Sequence, residues 1–89
     1  MTSPFTDNTA KGRFEYPVGG NTVFANYRRD SSTLYIDYVE APRELRGTGA
    51  AGKLMRNILE FAQKERLKVV PICSYAALWI SRNARNGIS

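Results

Sequence analysis

The chain has 89 residues and a formal charge of +5 at pH 7, and its sequence contains one cysteine and no histidine. A chain of this length forms one small domain that buries only about 60 to 65 per cent of its unfolded surface, so a ligand or a second subunit adds usefully to its stability. We therefore expect a monomer or a homodimer. The lone Cys73 cannot form an internal disulfide, and without histidine we expect no metal site. The positive charge favours an anionic partner, either nucleic acid or a polyanionic cofactor.

Hydropathy and the two chain ends bear on location and domain limits. No apolar stretch is long enough to span a membrane, and the opening residues have neither the basic start nor the apolar run of a signal peptide. We therefore expect a cytoplasmic protein. Residues 1–11 and 84–89 are polar and aperiodic, which predicts flexible tails around a single domain at residues 12–83.

Three strands are predicted in the first half of the domain. Residues 13–18 and 22–29 are rich in aromatic and β-branched side chains and flank the turn sequence Gly19-Gly20-Asn21, which predicts a β-hairpin. A third antiparallel strand follows at residues 33–40. In this strand the alternation puts three residues on one face, Leu34, Ile36 and Tyr38, and three on the other, Tyr35, Asp37 and Val39.

The second half contains two predicted helices and one more strand. Pro42 ends the third strand and holds the connection at residues 41–46 away from helical conformation. Residues 67–73 (LKVVPIC) form a fourth strand whose nearly continuous apolar character predicts a central position, and Pro71 predicts a break in its pairing. Ser74 can cap a short last helix over residues 75–82. The longer helix, over residues 48–66, carries an apolar stripe of Ala51, Leu54, Met55, Ile58, Leu59 and Ala62.

Residues 46–53, RGTGAAGK, open this longer helix and match or nearly match three phosphate-binding signatures. They contain the G-x-G-x-x-G of dinucleotide-binding folds, the G-x-x-x-x-G-K of P-loops and the R-G-x-G of acyl-CoA pyrophosphate loops. Glycines let the backbone turn tightly, and the first N–H groups of a helix are free to bind phosphate. Arg46 and Lys53 flank the loop with positive charge.

Two of these signatures fail on context. A P-loop requires Ser or Thr after its lysine to hold magnesium, where this chain has Leu54. A dinucleotide fold requires a strand running straight into the glycines and an acidic residue about 20 positions later, where the chain has Cys73 and Ser74. The order of strand, connection, R-G-x-G, long helix and interrupted strand fits the acyl-CoA loop.

This order resembles the GCN5-related N-acetyltransferase (GNAT) superfamily, through Val39 at the strand end, the loop RGTGAA at residues 46–51 and Leu54 in the helix. Glu40-Ala41-Pro42, RGTGAAGKL and VVPICSYAALWISRN further resemble a small stand-alone group of acetyltransferase-like proteins, the N-acetyltransferase domain-containing protein 1 type. The resemblance covers residues 13–83. It implies a minimal GNAT fold of the α/β (α+β) class, with a mostly antiparallel sheet of about four strands, one long helix and one short helix.

The resemblance also implies acetyl-CoA as the cosubstrate. Backbone N–H groups of the loop would hold its pyrophosphate, and its pantetheine arm would run along the end of the third strand, between two strands that splay apart. The chain departs from the resembled pattern at Glu44, where Gln or Arg is common, and at Tyr38, where histidine is expected in the smaller group. The implied cofactor-binding residues are Val39, Ala41, Arg46, Gly47, Thr48, Gly49, Ala50, Ala51, Lys53 and Ser74.

Acetyl transfer to an amine needs a base for the proton of the amine and an acid for the departing thiolate. Asp37 or Glu40 is a candidate base, and Tyr38 or Tyr75 is a candidate acid. Cys73, which precedes a helix N-terminus, could accept the acetyl group, hydrogen-bond the cofactor, or simply pack as a small apolar residue.

The sequence therefore predicts an acetyl-CoA-binding N-acetyltransferase that transfers acetyl to an unidentified amine by direct attack in a ternary complex. A non-catalytic acyl-CoA-binding module stays open, because the chain is short and lacks histidine. A basic nucleic-acid-binding domain is a third hypothesis, although the aromatic residues are not interleaved with a basic cluster. Trp79 on the short helix is predicted to belong to the core.

Overall fold

A computed structural model describes residues 4–83, and the predictions for residues 1–3 and 84–89 lie outside the described residues. One five-stranded sheet, in the order β1-β2-β3-β4-β5, packs with two helices, which confirms the predicted mixed α+β class. The elements are β1 (Thr6–Asn8), β2 (Arg13–Val18), β3 (Asn21–Arg29), β4 (Thr33–Glu40), α1 (Ala50–Glu65), β5 (Lys68–Pro71) and α2 (Ser74–Asn83).

The first strand was not predicted from the sequence. The expectation of a flexible tail over residues 1–11 is wrong for residues 6–8, because Thr6–Asn8 pairs antiparallel with β2 and brings the sheet to five strands. The Tyr27 hydroxyl donates to Asp7 Oδ1 at 2.5 Å, and the Phe5 ring stacks on Phe14 with 5.3 Å between centroids. A polar segment without periodicity becomes a strand here because tertiary contacts, rather than its own propensity, hold it in place.

The antiparallel arrangement of β2, β3 and β4 is confirmed. Val18 pairs with Asn21 across the turn at Gly19 and Gly20, and Gly19 takes a φ of 62° that favours glycine. β3 then pairs antiparallel with β4 along its length. These strands form most of the sheet against which the helices pack.

α1 covers one face of the sheet and forms the core with it. The predicted apolar stripe is confirmed apart from Ala51, which is partly buried, while its neighbour Ala50 is buried. The Phe14 ring of β2 meets Phe61 of α1 edge-on, with 5.1 Å between centroids. The fully buried side chains of the sheet and α1 include Phe14, Val23, Leu34, Ile36, Leu54, Met55 and Ile58.

A bulge interrupts the pairing of β3 and β4. Tyr27 pairs with Ile36 and Asn26 pairs with Tyr38, so Asp37 is an extra residue between two ladder pairs. Such an insertion shifts the two-residue alternation of side chains by one position. The bulge therefore changes which face of the sheet each later residue of β4 occupies.

The predicted grouping of Leu34, Ile36 and Tyr38 on one face is wrong for this reason. Leu34 and Ile36 are fully buried, whereas the Tyr38 side chain is 48% exposed. Val39, predicted on the opposite face, packs against the core cluster. A strict alternation read from the sequence cannot show a bulge, because the extra residue follows no residue-type signal.

β5 lies at the edge of the sheet, among the described residues, and not at the centre as predicted. It runs parallel to β4, and the Lys68 and Ile72 N–H groups donate to the carbonyls of Ser32 and Ile36 at 2.8 and 2.9 Å. Since alternate residues of β5 face β4, the ring nitrogen of Pro71 points to the open edge. Proline there removes no bond to β4 and disfavours the addition of another strand.

The connection after β4 is partly helical, which corrects the prediction for residues 41–46. Arg43–Leu45 form a single turn of 3-10 helix, with Pro42 immediately before it in extended conformation. Proline is well tolerated at a helix start because its missing N–H needs no partner there. This turn buries Leu45 beneath the loop that follows.

α2 packs beside α1 and against β4 and β5. It begins at Ser74 itself, and the Ala77 N–H donates to the Cys73 carbonyl at 2.9 Å, so Cys73 rather than Ser74 precedes the helix. Ala76 is fully buried, and Trp79 packs against the core as predicted. Neither helix within residues 4–83 is long and apolar enough to cross a membrane.

Candidate functional site

A cavity of about 520 Å³ lies at the carboxyl end of β4. It is bounded by the end of that strand, the glycine-containing loop before α1 and the first turn of α2. Its volume falls in the range of about 300 to 1,000 Å³ that is typical of small-molecule sites. The residues that line it are Val39, Glu40, Ala41, Leu45, Arg46, Gly47, Gly49, Ala51, Gly52 and Tyr75.

The cavity forms where β4 and β5 separate. Their parallel pairing ends at Ile36 and Pro71, and the N–H groups of Ile72 and Cys73 both donate to the Ile36 carbonyl, at 2.9 and 3.0 Å. The predicted break in pairing is therefore confirmed, but its cause is the turn of the chain at this shared carbonyl. β4 continues to Glu40 with its backbone N–H and C=O groups unpaired by β5.

The loop before α1 depends on two glycines with positive φ. Gly47 and Gly49 have φ angles of 79° and 86°. A residue with a Cβ enters this region at a cost of about 1–2 kcal/mol. Thr48 closes the turn between them, because its N–H and its hydroxyl both donate to the Leu45 carbonyl and its oxygen accepts the Ala50 N–H at 3.3 Å.

The turn leaves a set of backbone donors without acceptors within residues 4–83. These donors are the N–H groups of Gly47 and Gly49 in the loop and of Ala51 and Gly52 in the first turn of α1. The next N–H, of Lys53, is bonded to the Gly49 carbonyl at 3.1 Å. All the residues with unused N–H groups line the cavity, and the helix dipole adds positive potential there.

Gly52 is a site residue that sequence reasoning did not assign. A Cβ on Gly52 would lie 3.2 Å from Trp79 Nε1, a tight contact, so glycine favours the close packing of α2 on α1. The third glycine of G-x-G-x-x-G often serves such close packing, and this was the signal that could have found it. Leu45 also lines the cavity unpredicted, although it is the one apolar residue in the charged connection PRELR.

Glu40 lies in the cavity wall between an arginine and a tyrosine. The Tyr38 hydroxyl donates a short hydrogen bond to Glu40 Oε1, and Arg46 Nη2 lies 3.8 Å from Glu40 Oε2. Arg46 Nε also donates to the Ala41 carbonyl at 3.1 Å, which holds the guanidinium at the strand end. The hydrogen bond to Glu40 raises the pKa of Tyr38 above its ordinary value, because only the neutral phenol can donate it.

The two candidate bases, Asp37 and Glu40, occupy different environments. The Asp37 carboxylate accepts two hydrogen bonds from Arg28, at 2.7 and 2.8 Å, which lower the pKa of Asp37. Asp37 is absent from the cavity lining, whereas Glu40 is part of it. The geometry therefore separates two carboxylates that the sequence left equivalent.

Tyr75 and Cys73 lie at the α2 side of the site. Tyr75 lines the cavity, and partial burial, followed by the nearness of Cys73, raises the pKa of Tyr75 above its ordinary value. Tyr75 therefore keeps its phenolic proton at neutral pH. Cys73 does not line the cavity, and its partly buried side chain packs against the core cluster.

The structure brings most of the predicted site residues to one cavity and leaves several outside its lining. Thr48 and Ala50 hold the loop through their own hydrogen bond, while Lys53 is exposed on the surface of α1. Within residues 4–83 there is no group of three or more side chains placed to hold a metal ion. The predicted site residues absent from the lining are Tyr38, Thr48, Ala50, Lys53, Cys73 and Ser74.

Comparison with known families gives the class of the protein. A family model described as GCN5-related N-acetyl-transferase matches residues 13–86. The chain therefore belongs to this family, and its five-stranded sheet with two helices is consistent with a minimal GNAT fold. A search of curated proteins returns no match. The family uses acetyl-CoA as cosubstrate, so membership indicates an acyl-CoA-dependent acetyltransferase.

Proposed function

We propose that the protein binds acetyl-CoA in the cavity at the end of β4 and transfers the acetyl group to an amine by direct attack in a ternary complex. The observation that carries the proposal is that the unused N–H groups of the loop and the unpaired edge of β4 meet in one cavity. A diphosphate matches the N–H groups of the loop, and an amide-containing arm joined to it matches the edge of β4.

The loop fits a diphosphate. Gly47, Gly49, Ala51 and Gly52 offer backbone N–H groups that have no acceptor among the described residues. Each charge-assisted hydrogen bond of this kind is stronger than a neutral one. Arg46 adds a positive charge that solvent and ligand can reach, since its side chain is 65% exposed. Thr48, Ala50 and Lys53, also implied as cofactor residues, support the loop shape and its charge.

The end of β4 fits the pantetheine arm. Val39 and Ala41 line the cavity on the strand edge that β5 has left. Backbone N–H and C=O groups on such an edge can hydrogen-bond the arm's two amides as an added strand would. The arm would then direct the acetyl end towards the gap between β4 and the start of α2, where Tyr75 lies.

Two side chains in the cavity wall are suited to the proton transfers. Acetyl-CoA supplies an acetyl group activated as a thioester. Glu40 takes a proton from the ammonium form of the acceptor, directly or through a water, and Tyr38 positions its carboxylate. Tyr75 gives its proton to the sulfur that departs. The attacking nitrogen then loses a second proton, which restores the Tyr75 phenol, and Glu40 gives its proton to solvent. Overall, a nitrogen–carbon bond forms, a carbon–sulfur bond breaks, and one proton is released for each ammonium group that is acetylated.

Binding is the first test. Calorimetry with acetyl-CoA and CoA, and a thermal-shift series that includes ATP and NAD, should show a preference for the two CoA compounds. At about 100 times the dissociation constant, acetyl-CoA should add about 2.7 kcal/mol to the free energy of unfolding. Equal thermal shifts with all four compounds, or no shift with any of them, would overturn the proposal.

Turnover is the second test, with Asp37 as a matched control for Glu40. Release of free CoA thiol is measured while acetyl-CoA is mixed with amines, polyamines or lysine peptides. Glu40→Gln should lower the rate about 10²- to 10⁴-fold, because it removes the base but keeps the shape. Asp37→Asn should leave it nearly unchanged, since Asp37 faces Arg28 outside the cavity. Equal losses in both variants would remove Glu40 from its role.

Direct transfer also predicts that Cys73 is not acetylated. Because its side chain packs into the core outside the cavity lining, we expect no acetyl group on it. Intact-protein mass spectrometry after exposure to acetyl-CoA should show an unmodified chain. A mass increase of one acetyl group that is absent in Cys73→Ala would contradict the ternary-complex mechanism. It would indicate a two-step mechanism through a thioester on Cys73. Binding of CoA without any thiol release would indicate a non-catalytic module.

A further inference from the structure

One face of the sheet is not covered by the helices of residues 4–83. Side chains of α1 and α2 join one core cluster with Leu34 and Ile36, so both helices lie on the face that these two residues occupy. Side chains that alternate with them along the strands point to the opposite face. We call this opposite surface the open face. Its residues around the carboxyl end of β4 are Phe24, Asn26, Tyr38, Glu40 and Ile72.

The candidate base lies on the open face. Tyr38 pairs with Asn26 of β3, and Glu40 pairs with Phe24. Asn26 and Phe24 flank the fully buried Ala25, so these two residues and their cross-strand partners point away from α1. Because Glu40 also lines the cavity, an acceptor amine can reach its carboxylate from the open face.

Two exposed apolar side chains lie beside this entrance to the cavity. The Tyr38 side chain is 48% exposed and the Ile72 side chain is 57% exposed. Ile72 follows Pro71, which pairs with the buried Ile36, so the alternation puts Ile72 on the open face. The Ile72 N–H donates to the Ile36 carbonyl at 2.9 Å, which keeps the residue beside β4. Large apolar side chains exposed together beside a cavity are typical of an interaction surface.

The site is shallow on this side, which favours a polymer as the acceptor. The Glu40 side chain is 33% exposed. Small-molecule sites bury about 70–90% of the surface of their ligand, and a flat sheet face cannot enclose a small amine to that extent. A polypeptide instead gains contact area by lying across the face. Because Glu40 is close to the surface, the reacting amine needs no long side chain to reach it.

The chemistry of the base favours an amine that loses its proton easily. The sequence has no histidine, and Tyr38 keeps its proton because its hydrogen bond to Glu40 raises the pKa of Tyr38. The base at the entrance is therefore a carboxylate, which is weaker than an imidazole. The α-amino group of a polypeptide has an ordinary pKa of about 7.7–8.0, against about 10.4 for lysine, so its neutral fraction near neutral pH is about 10²-fold larger.

The Glu40 carboxylate is also complementary in charge to an amino terminus. It accepts one hydrogen bond from Tyr38, and its nearest guanidinium nitrogen, Arg46 Nη2, lies 3.8 Å away. A carboxylate has about four lone-pair positions, so Glu40 keeps capacity to accept hydrogen bonds from the acceptor. Asp37 is engaged differently, because it accepts both of its hydrogen bonds from Arg28.

We propose that the open face binds the amino-terminal end of a polypeptide, with its α-amino group at Glu40 and the side chain of its second residue on Ile72. This proposal rests on the acetyl transfer proposed above. It assigns Ile72 as a specificity-determining residue for the acceptor. It also selects the end of a polypeptide over lysine side chains and small free amines, which the acetyl transfer alone does not distinguish.

Three acceptors of known chemistry test the assignment with the full chain and acetyl-CoA. They are the peptide amide Ala-Leu-Ala-Gly-Ser-Ala, the N-acetylated peptide amide Ala-Leu-Lys-Gly-Ser-Ala, and alaninamide, which has an α-amino group but no chain. Thiol release gives the rates, and mass spectrometry of the peptides gives the acetylated position. The free amino terminus should have a kcat/KM about tenfold or more above that of the blocked lysine peptide, because more of it is neutral. It should exceed alaninamide by a similar factor, because only the peptide contacts the open face.

Ile72→Ser tests the surface itself, with Val18→Ser as the matched control. Val18 is also an exposed apolar residue, but it alternates with the buried Phe14 along β2 and so lies on the other face of the sheet. Ile72→Ser should raise the KM for the free peptide about fivefold and leave kcat nearly unchanged. It should not change the rate with alaninamide or the affinity for acetyl-CoA. Val18→Ser should leave all of these unchanged.

Three results would overturn the acceptor assignment while acetyl transfer stands. They are a kcat/KM for the lysine peptide that equals or exceeds that of the free amino terminus, an equal kcat/KM for alaninamide and the free peptide, and equal effects of Ile72→Ser and Val18→Ser. If no acceptor, including polyamines, releases thiol from acetyl-CoA, the proposed function itself fails. The two failures are therefore distinguishable.

Discussion

The two halves of β4 differ in the burial of their side chains and in their pairing with β5. In the first half, Leu34 and Ile36 are fully buried, and β5 pairs alongside as far as Ile36. In the second half, Tyr38 is 48% exposed, β5 has turned away, and Val39 and Glu40 line the cavity. One continuous strand thus serves first the core and then the candidate site.

The change happens over two residues and has two structural causes. The bulge at Asp37 reverses the side-chain faces, and the Ile36 carbonyl accepts both N–H groups with which β5 leaves the sheet. Bulges commonly occur beside active sites, where they redirect side chains. The comparison teaches that irregularities of the core sheet are enough to form a cavity within residues 4–83.

The largest expected effect is on stability in the first half of β4. Ile36→Ala should lower the free energy of unfolding by about 2–5 kcal/mol, because it removes a fully buried side chain from a packed core. Tyr38→Phe, two positions later, should change it by no more than about 0.5 kcal/mol, as is usual for exposed sites. Urea denaturation followed by circular dichroism measures both. Comparable losses would mean that the two halves are not energetically distinct.

A smaller effect is expected in the loop that faces the second half. Gly49→Ala should cost about 1–2 kcal/mol of stability, because alanine is strained at a φ of 86°. It should also weaken acetyl-CoA binding, since the strain redirects the loop N–H groups. Gly20→Ala is the control, because Gly20 does not have a positive φ and a Cβ there would meet no atom within 4 Å. If Gly49→Ala has the same free energy of unfolding and the same affinity for acetyl-CoA as Gly20→Ala, the assigned loop geometry is contradicted.

The smallest effect is a dependence of stability on alkaline pH in the core half. Burial and then the hydrogen bond to Asp7 raise the pKa of Tyr27, the partner of Ile36, from 10.0 to about 12. The unfolded chain therefore loses this proton first, so the stabilisation is complete below about pH 10 and disappears as the pH rises towards 12. Tyr27→Phe should flatten the decline of the melting temperature across this range. A decline of the same slope in the variant would assign the effect to other groups.

Regular elements were predictable because local patterns determine them. The stripe of α1 follows the 3.6-residue period, and the hairpin of β2 and β3 follows the Gly19-Gly20 turn. The loop glycines were also recognisable, since only a few backbone shapes need that spacing. β1 and the edge position of β5 were not, because pairing partners select a strand's place in a sheet and its own residues do not.

The candidate site shows the same division. The sequence placed Gly47, Gly49 and Arg46 at a phosphate loop, and these residues line the cavity. It could not separate Glu40 from Asp37, since both are carboxylates of one strand. The structure separates them, because Asp37 pairs with Arg28 whereas Glu40 ends the strand and lines the cavity. It also passed over Gly52, where a Cβ would crowd the Trp79 ring of another helix.

The sequence by itself determined the order of elements from β2 to α2, the helical stripe, the positive charge, the glycine loop and the family, because these depend on residues close together in the chain. Only the tertiary structure decided where β4 and β5 part, which face Tyr38 takes and which backbone donors stay unused. The place where β4 and β5 part depends on hydrogen bonds between distant residues, from the Ile72 and Cys73 N–H groups to the Ile36 carbonyl. No local pattern encodes such bonds, since each partner could have bonded elsewhere.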